Sequence, residues 1–105
     1  MIHRLAFRSP ADEEYLALDL EVRRVFEEIL PDILHRPFRS GLGYTIHGIR
    51  DHPLLWELKL NEFPPRRFRA IFDVDGEIVR FLGLGPRPGF YSRLRDKDRL
   101  PPSRF

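Results

Sequence analysis

Arg67-Phe-Arg-Ala-Ile-Phe-Asp-Val-Asp-Gly-Glu-Ile-Val-Arg-Phe81 is the stretch that decides the fold of this chain. Phe68, Ala70, Phe72 and Val74 alternate with Arg67, Arg69, Ile71 and Asp73, the period of two that a half-buried strand requires. Asp75-Gly76 follows, a hairpin signal because a type I′ turn needs positive φ at both central positions. A returning strand is expected from 77 to about 84, and its faces stay open because Arg80 shares parity with Ile78 and Leu82. Upstream, Trp56, Leu58 and Leu60 alternate with Glu57, Lys59 and Asn61, and Pro64-Pro65 forces a break before the next strand. The spacing therefore predicts a three-stranded antiparallel meander with one buried face.

Before this meander the pattern changes to a helical one. Ile2, Arg4 and Ala6 alternate with His3, Leu5 and Phe7 in what suits a short opening strand. Ser9-Pro10 reads as a helix start, with Ser9 as N-cap and Pro10 in the first helical position, and the helix should run to about Leu18. Asp19 caps a second helix in which Leu20, Val22, Val25, Phe26, Ile29 and Leu30 form one apolar stripe. Arg23–Glu27 and Arg24–Glu28 are expected as i,i+4 pairs on its solvent face. Pro31 should kink this helix or restart it as a short turn, and Pro37 ends it.

Residues 36–53 read as a long connection. Gly41-Leu-Gly43 has no strand before it and no Gly at 46, so it is not a dinucleotide loop. His47 and His52 lack a third ligand nearby and read as loop residues, not a metal site. The fold class is thus α+β: an N-terminal strand, a two-helix hairpin, then a three-stranded antiparallel meander, forming one sheet. Leu16, Val22, Phe26 and Ile29 should meet Trp56, Leu58, Phe68 and Phe72 in the core.

At 105 residues the chain is expected to be a single domain, 1–105, with one core that needs no staples. Residues from about 93 to 105 mix charges and prolines and read as a mobile tail or an extended clasp. Cysteine is absent, which excludes a disulfide framework and thiolate metal ligands and agrees with a reducing cytoplasm. No stretch has the apolar run of a signal peptide or a membrane span, so a cytoplasmic protein without a membrane partner is expected. The net charge of +2 is unevenly placed: residues 1–40 carry 6 basic and 8 acidic side chains, residues 41–105 carry 12 and 8. Cations concentrated in the strand-rich part favour a nucleic-acid or acidic-protein partner.

Antiparallel pairing should bring Lys59, Arg67 and Arg69 onto one solvent-facing surface, with Glu57 in reach of one of them. The plainer alternative is a set of ordinary solvent charges on a one-sided sheet. After the last strand, Pro86, Pro88 and Gly89 frame Arg87 and Tyr91 at the sheet margin.

Trp56-Glu-Leu-Lys59, Arg67-Phe-Arg-Ala-Ile-Phe72, Asp75-Gly-Glu-Ile-Val79 and Gly85-Pro-Arg-Pro-Gly-Phe-Tyr91, in that order, resemble the RelE/ParE superfamily of bacterial type II toxins. The resemblance spans nearly the whole chain. It implies a toxin silenced by a cognate antitoxin and acting on messenger RNA in the ribosome, where the 2′-OH attacks the adjacent phosphate with no metal or cofactor. It also implies roles: Tyr91 as general base, Arg87 beside the phosphate or leaving group, and Lys59 and Arg69 as phosphate-stabilising cations. Arg66, Arg67, Arg80, Arg93 and Arg95 become candidate nucleic-acid contacts. Glu57 departs from the pattern, standing where the ribonucleases often carry a cation, and Pro86 replaces the basic or His residue before Arg87. Two other outcomes within the superfamily stay open: a DNA gyrase inhibitor that acts by binding, and an inactive partner-binding member.

Overall fold

The computed structural model describes residues 2–65 and 67–86. Strand β1 (Arg4–Phe7) leads through helix α1 (Ala11–Leu16) and helix α2 (Leu20–His35) into β2 (Tyr44–Ile49), β3 (His52–Leu60), β4 (Arg69–Asp75) and β5 (Ile78–Gly85). One sheet results, in the order β1-β5-β4-β3-β2, with β1 parallel to β5 and every other pair antiparallel. The α+β class and the helical hairpin agree with the sequence reading, but the meander has four strands, not three. The additional one, β2, lies inside the stretch read as a connection.

Helix α2 forms because Val22, Phe26, Leu30 and Ile33 recur every three or four residues and are all buried. Asp19 caps it, its carboxylate accepting the Glu21 N–H at 3.2 Å. Pro31 lies within the helix, which continues to His35. The outer face differs from expectation: the Tyr15 hydroxyl donates to Glu27, and Arg23 lies over the Tyr15 ring, 5.6 Å from its centroid. The start of α1 differs too, since Pro10 occupies the N-cap position and no side chain caps the helix. Leu16, expected in the core, is 68% exposed at the end of that short helix.

The core fills the space between α2 and one sheet face, where Phe26 meets Phe68 and Phe81 at ring-centroid distances of 5.5 and 5.3 Å. Trp56, on the same sheet face, is half-buried and meets Phe38 in a tilted ring contact. Two local features set the faces of β5. The β4–β5 loop is Gly76-Glu77, and only Gly76 has positive φ (58°), so it follows the II′ rather than the I′ pattern. Farther on, Ile71 pairs with Gly83 and Phe72 with Phe81, leaving Leu82 as the extra residue of a bulge. Val79 and Phe81 therefore face the core before the bulge and Leu84 after it, while Arg80 and Leu82 point to the opposite side. Beyond the end of β1, the Leu84 N–H is taken by the Glu14 carboxylate at 3.1 Å, which ties α1 to the end of β5.

Strand β2 is an edge, and the loop before it covers the first part of that edge. Ser40 Oγ accepts the Ile46 N–H at 2.9 Å and donates to its carbonyl at 3.3 Å, while Gly41 bridges Tyr44. The Tyr44 hydroxyl donates to Asp32 at 2.5 Å, across a space that a side chain at Gly41 would invade: a Cβ there would lie 2.6 Å from the hydroxyl oxygen. Burial, then this bond to Asp32, pushes the Tyr44 phenol up to about 12 from 10.0. A raised acid binds more protons folded than unfolded, so the contribution of Tyr44 to stability is full below pH 10.0 and is lost as pH climbs towards about 12. Urea unfolding across that window should show this decline, and Tyr44→Phe should remove its part of it.

Candidate functional site

The sheet face opposite α2 carries the polar cluster that the strand pattern anticipated. Glu57 and Lys59 project from β3, with His47 directly across from Glu57 on β2 and Arg69 on the diagonal from β4. Glu57 is the hub. Its side chain is 1% exposed; His47 Nε2 lies 2.7 Å from Oε1, and Arg69 pairs with Oε2. Lys59 Nζ stands 3.9 Å from Oε1, beyond hydrogen-bond reach, on a side chain 38% exposed. His47 Nδ1 faces the Gly48 carbonyl at 3.1 Å.

Lys59 and Arg69 thus share one face, but not in the manner expected. Arg69 is not a solvent-facing cation: its side chain is 8% exposed and its charge is matched by the Glu57 carboxylate. What the cluster offers a ligand is the Lys59 ammonium and one edge of the His47 ring, above a buried ion pair. An anion approaching this face meets cations backed by low-dielectric surroundings, where attraction is stronger than in open water.

Arg67 does not join them. A turn follows Pro64, with the Arg67 N–H on the Pro64 carbonyl at 2.8 Å, and this takes Arg67 out of strand geometry. Its guanidinium instead meets Asp19 at 2.7 Å and Glu21 at 3.1 Å at the start of α2, above the Phe63 ring. The Asp19 bond raises the Arg67 pKa, and the Arg67 bond in turn holds Asp19 below the usual carboxylate range. Arg80 lies on the open face but forks onto Asp73 through Nε at 3.0 Å and Nη2 at 2.6 Å, an interaction that raises its pKa. Tyr91, Arg87, Arg66, Arg93 and Arg95, and the segment from 93 to 105, lie outside the described residues.

His47 is the member of the cluster that the sequence reading placed in a loop. The signal was present, since Tyr44 and Ile46 alternate with Thr45 and His47, but Gly41, Gly43 and Gly48 around them read as loop punctuation. His52, the other histidine of that stretch, begins β3. Among the described residues no group of three His, Cys, Asp or Glu side chains could hold a metal ion. No described helix is long and apolar enough to cross a membrane.

No family model and no curated protein matches the chain. Solved structures do. A mutant of the E. coli toxin RelE in the free state superposes with a TM-score of 0.67 at 21% identity, covering 91% of this chain and 93% of that one. The toxin in the intact E. coli RelBE toxin–antitoxin complex gives 0.64 at 23% identity, over 82% of this chain and 98% of that one. The archaeal RelE–RelB complex from Pyrococcus horikoshii gives 0.56 at 20% identity, over 83% and 97%. Identities this low speak for architecture alone, and the architecture agrees with the one implied by the strand motifs: this chain has the RelE fold.

Proposed function

We propose that this protein is the toxin of a type II toxin–antitoxin pair and cleaves messenger RNA on the ribosome. The observation that carries the reading is the cationic open face, where Lys59 stands over the Glu57–Arg69 pair on a RelE-type sheet. In the proposed reaction the 2′-OH of the message attacks the adjacent phosphorus and the 5′-oxygen of the next nucleotide leaves. Tyr91 takes the hydroxyl proton, for which the surrounding cations must favour its phenolate, since an ordinary Tyr titrates near 10. Arg87 stabilises the phosphate or leaving group. Lys59 and Arg69 stabilise the charge that builds on the phosphorane, a gain larger in the transition state than in the ground state. The antitoxin covers the basic sheet face or the helical hairpin. Arg66, Arg93 and Arg95 are further candidate contacts to RNA.

A second reading, an inactive partner-binding member, has one observation in its favour: a buried carboxylate already neutralises Arg69. Induction in bacteria separates the readings. The nuclease arrests growth and leaves new message ends, and Tyr91→Phe and Arg87→Ala abolish both while keeping fold and antitoxin binding. Intact messages with broken DNA would point instead to gyrase, and neither effect to the inactive member.

A further inference from the structure

We propose that the outer edge of β1 is a docking strip for an extended segment of a partner protein in which carboxylates alternate with aliphatic side chains, joined to the sheet through main-chain pairing. Strand β1 pairs with β5 on one side and ends the strand order on the other. The Arg4 N–H goes to the Glu77 carbonyl at 2.7 Å and the Arg8 N–H to the Phe81 carbonyl at 2.9 Å. Parallel pairing in this phase turns the main-chain groups of Arg4, Ala6 and Arg8 towards β5 and those of Leu5 and Phe7 outward. Among the described residues none takes these outward groups in a backbone hydrogen bond. His3, one step earlier in the same row, gives its N–H to the Leu34 carbonyl at 2.8 Å, so the strip begins just after α2 has pinned the chain. Such a row of unused groups is what a strand-adding partner requires.

The side chains along the strip define what fits it. Leu5 pairs with Val79, which faces the core, so Leu5 lies on the helix side of the edge, where 38% of it stays exposed. Arg4 and Ala6 pair with Ile78 and Arg80 and lie on the other side, and Arg8 follows in the same phase; both arginines are exposed. An added strand therefore sets an aliphatic side chain beside Leu5 and a carboxylate beside Arg4, in alternate positions. A second copy of this chain is the wrong occupant. Two β1 strands paired antiparallel about Ala6, the register that uses every outward group, would set Arg4 of each copy across from Arg8 of the other, and like charges directly opposite destabilise the pair. The strip lies at the opposite end of the sheet order from β2 and does not involve Lys59, so the inference stands apart from the nuclease reading.

The test is amide hydrogen exchange, read by NMR on the isotope-labelled full chain, with a synthetic peptide acetyl-Glu-Val-Glu-Val-Glu-Val-Glu-amide and a control carrying Lys for each Glu. In the free chain Leu5 and Phe7 should exchange fast. Saturation with the acidic peptide should slow both at least about tenfold, and the lysine peptide should not. Arg4→Glu should reverse this preference. Leu5→Pro, which deletes one outward donor and leaves the bonds to β5 in place, should abolish the protection; should that variant unfold, Arg4→Glu decides alone. Unaltered exchange at Leu5 and Phe7 with both peptides would overturn the proposal, and equal protection by both would overturn its charge selection. Slow exchange in the free chain would also overturn it, naming a second copy as occupant where the slowing depends on protein concentration and residues 87–105 of the same chain where it does not. Peptide-induced shifts confined to Lys59 and its neighbours would assign the acidic segment to the sheet face instead.

Discussion

Glu57→Ala should destabilise the protein by about 3–5 kcal/mol, the range found when one partner of a buried ion pair is removed. The Arg69 guanidinium would stay in a place where 8% of its side chain meets solvent, deprived of the carboxylate on its Nη2. Urea unfolding gives the measurement, through the shift of the midpoint at constant slope. The matching control is a double variant, Glu57→Met with Arg69→Met. Burying two charges is itself costly, so an apolar pair of similar volume should recover most of the lost stability while losing the electrostatics of the face. A Glu57→Ala protein within about 1 kcal/mol of the parent would show that the pair is not desolvated as the geometry requires.

Phe26→Ala should cost a comparable amount, about 3–5 kcal/mol, by a different route. Phe26 is fully buried on α2, and its ring touches Tyr15, Phe68 and Phe81, which come from α1, the entry to β4, and β5. Truncation removes apolar area and leaves a void bounded by elements that cannot all move inward together. Leu16→Ala is the informative contrast: with 68% of Leu16 exposed, the change should stay within about 0.5 kcal/mol.

These contrasts show what the sequence could disclose. Strict alternation in β3 and β4 set their buried faces correctly because every second residue there is apolar. The α2 stripe was readable for the same reason, together with the Asp19 cap. Parity failed in β5, where Leu82 is inserted as a bulge residue and reverses the faces beyond it; no local propensity marks that insertion. Alternation also led to Arg69 being read as solvent-facing. An Arg opposite apolar neighbours ordinarily lies in water, and its burial depends on Glu57, which is on its diagonal only once strand register is known. Arg67 continued the same alternation on paper, yet the turn after Pro64 removed it from the strand and gave it to the acidic start of α2. The candidate site was therefore legible as a set of residue types on one face. Its internal pairing was not.

The covered start of the β2 edge limits how another polypeptide can engage the sheet there. A strand that joins a sheet side by side needs a row of unused N–H and C=O groups, and such rows invite both partners and fibres. Here Ser40 occupies the outward N–H and carbonyl of Ile46, and Gly41 occupies those of Tyr44, so these two outward positions are spent inside the chain. Backbone zippering at this end would first have to peel the 40–43 loop away, breaking the packing that Gly41 permits against Tyr44 and Asp32. A partner approaching this stretch of the edge therefore meets side chains rather than unused main-chain groups. Two copies meeting edge to edge along this stretch of β2 would find the main-chain groups of Tyr44 and Ile46 already taken, which blunts the first part of the strand as a template for assembly.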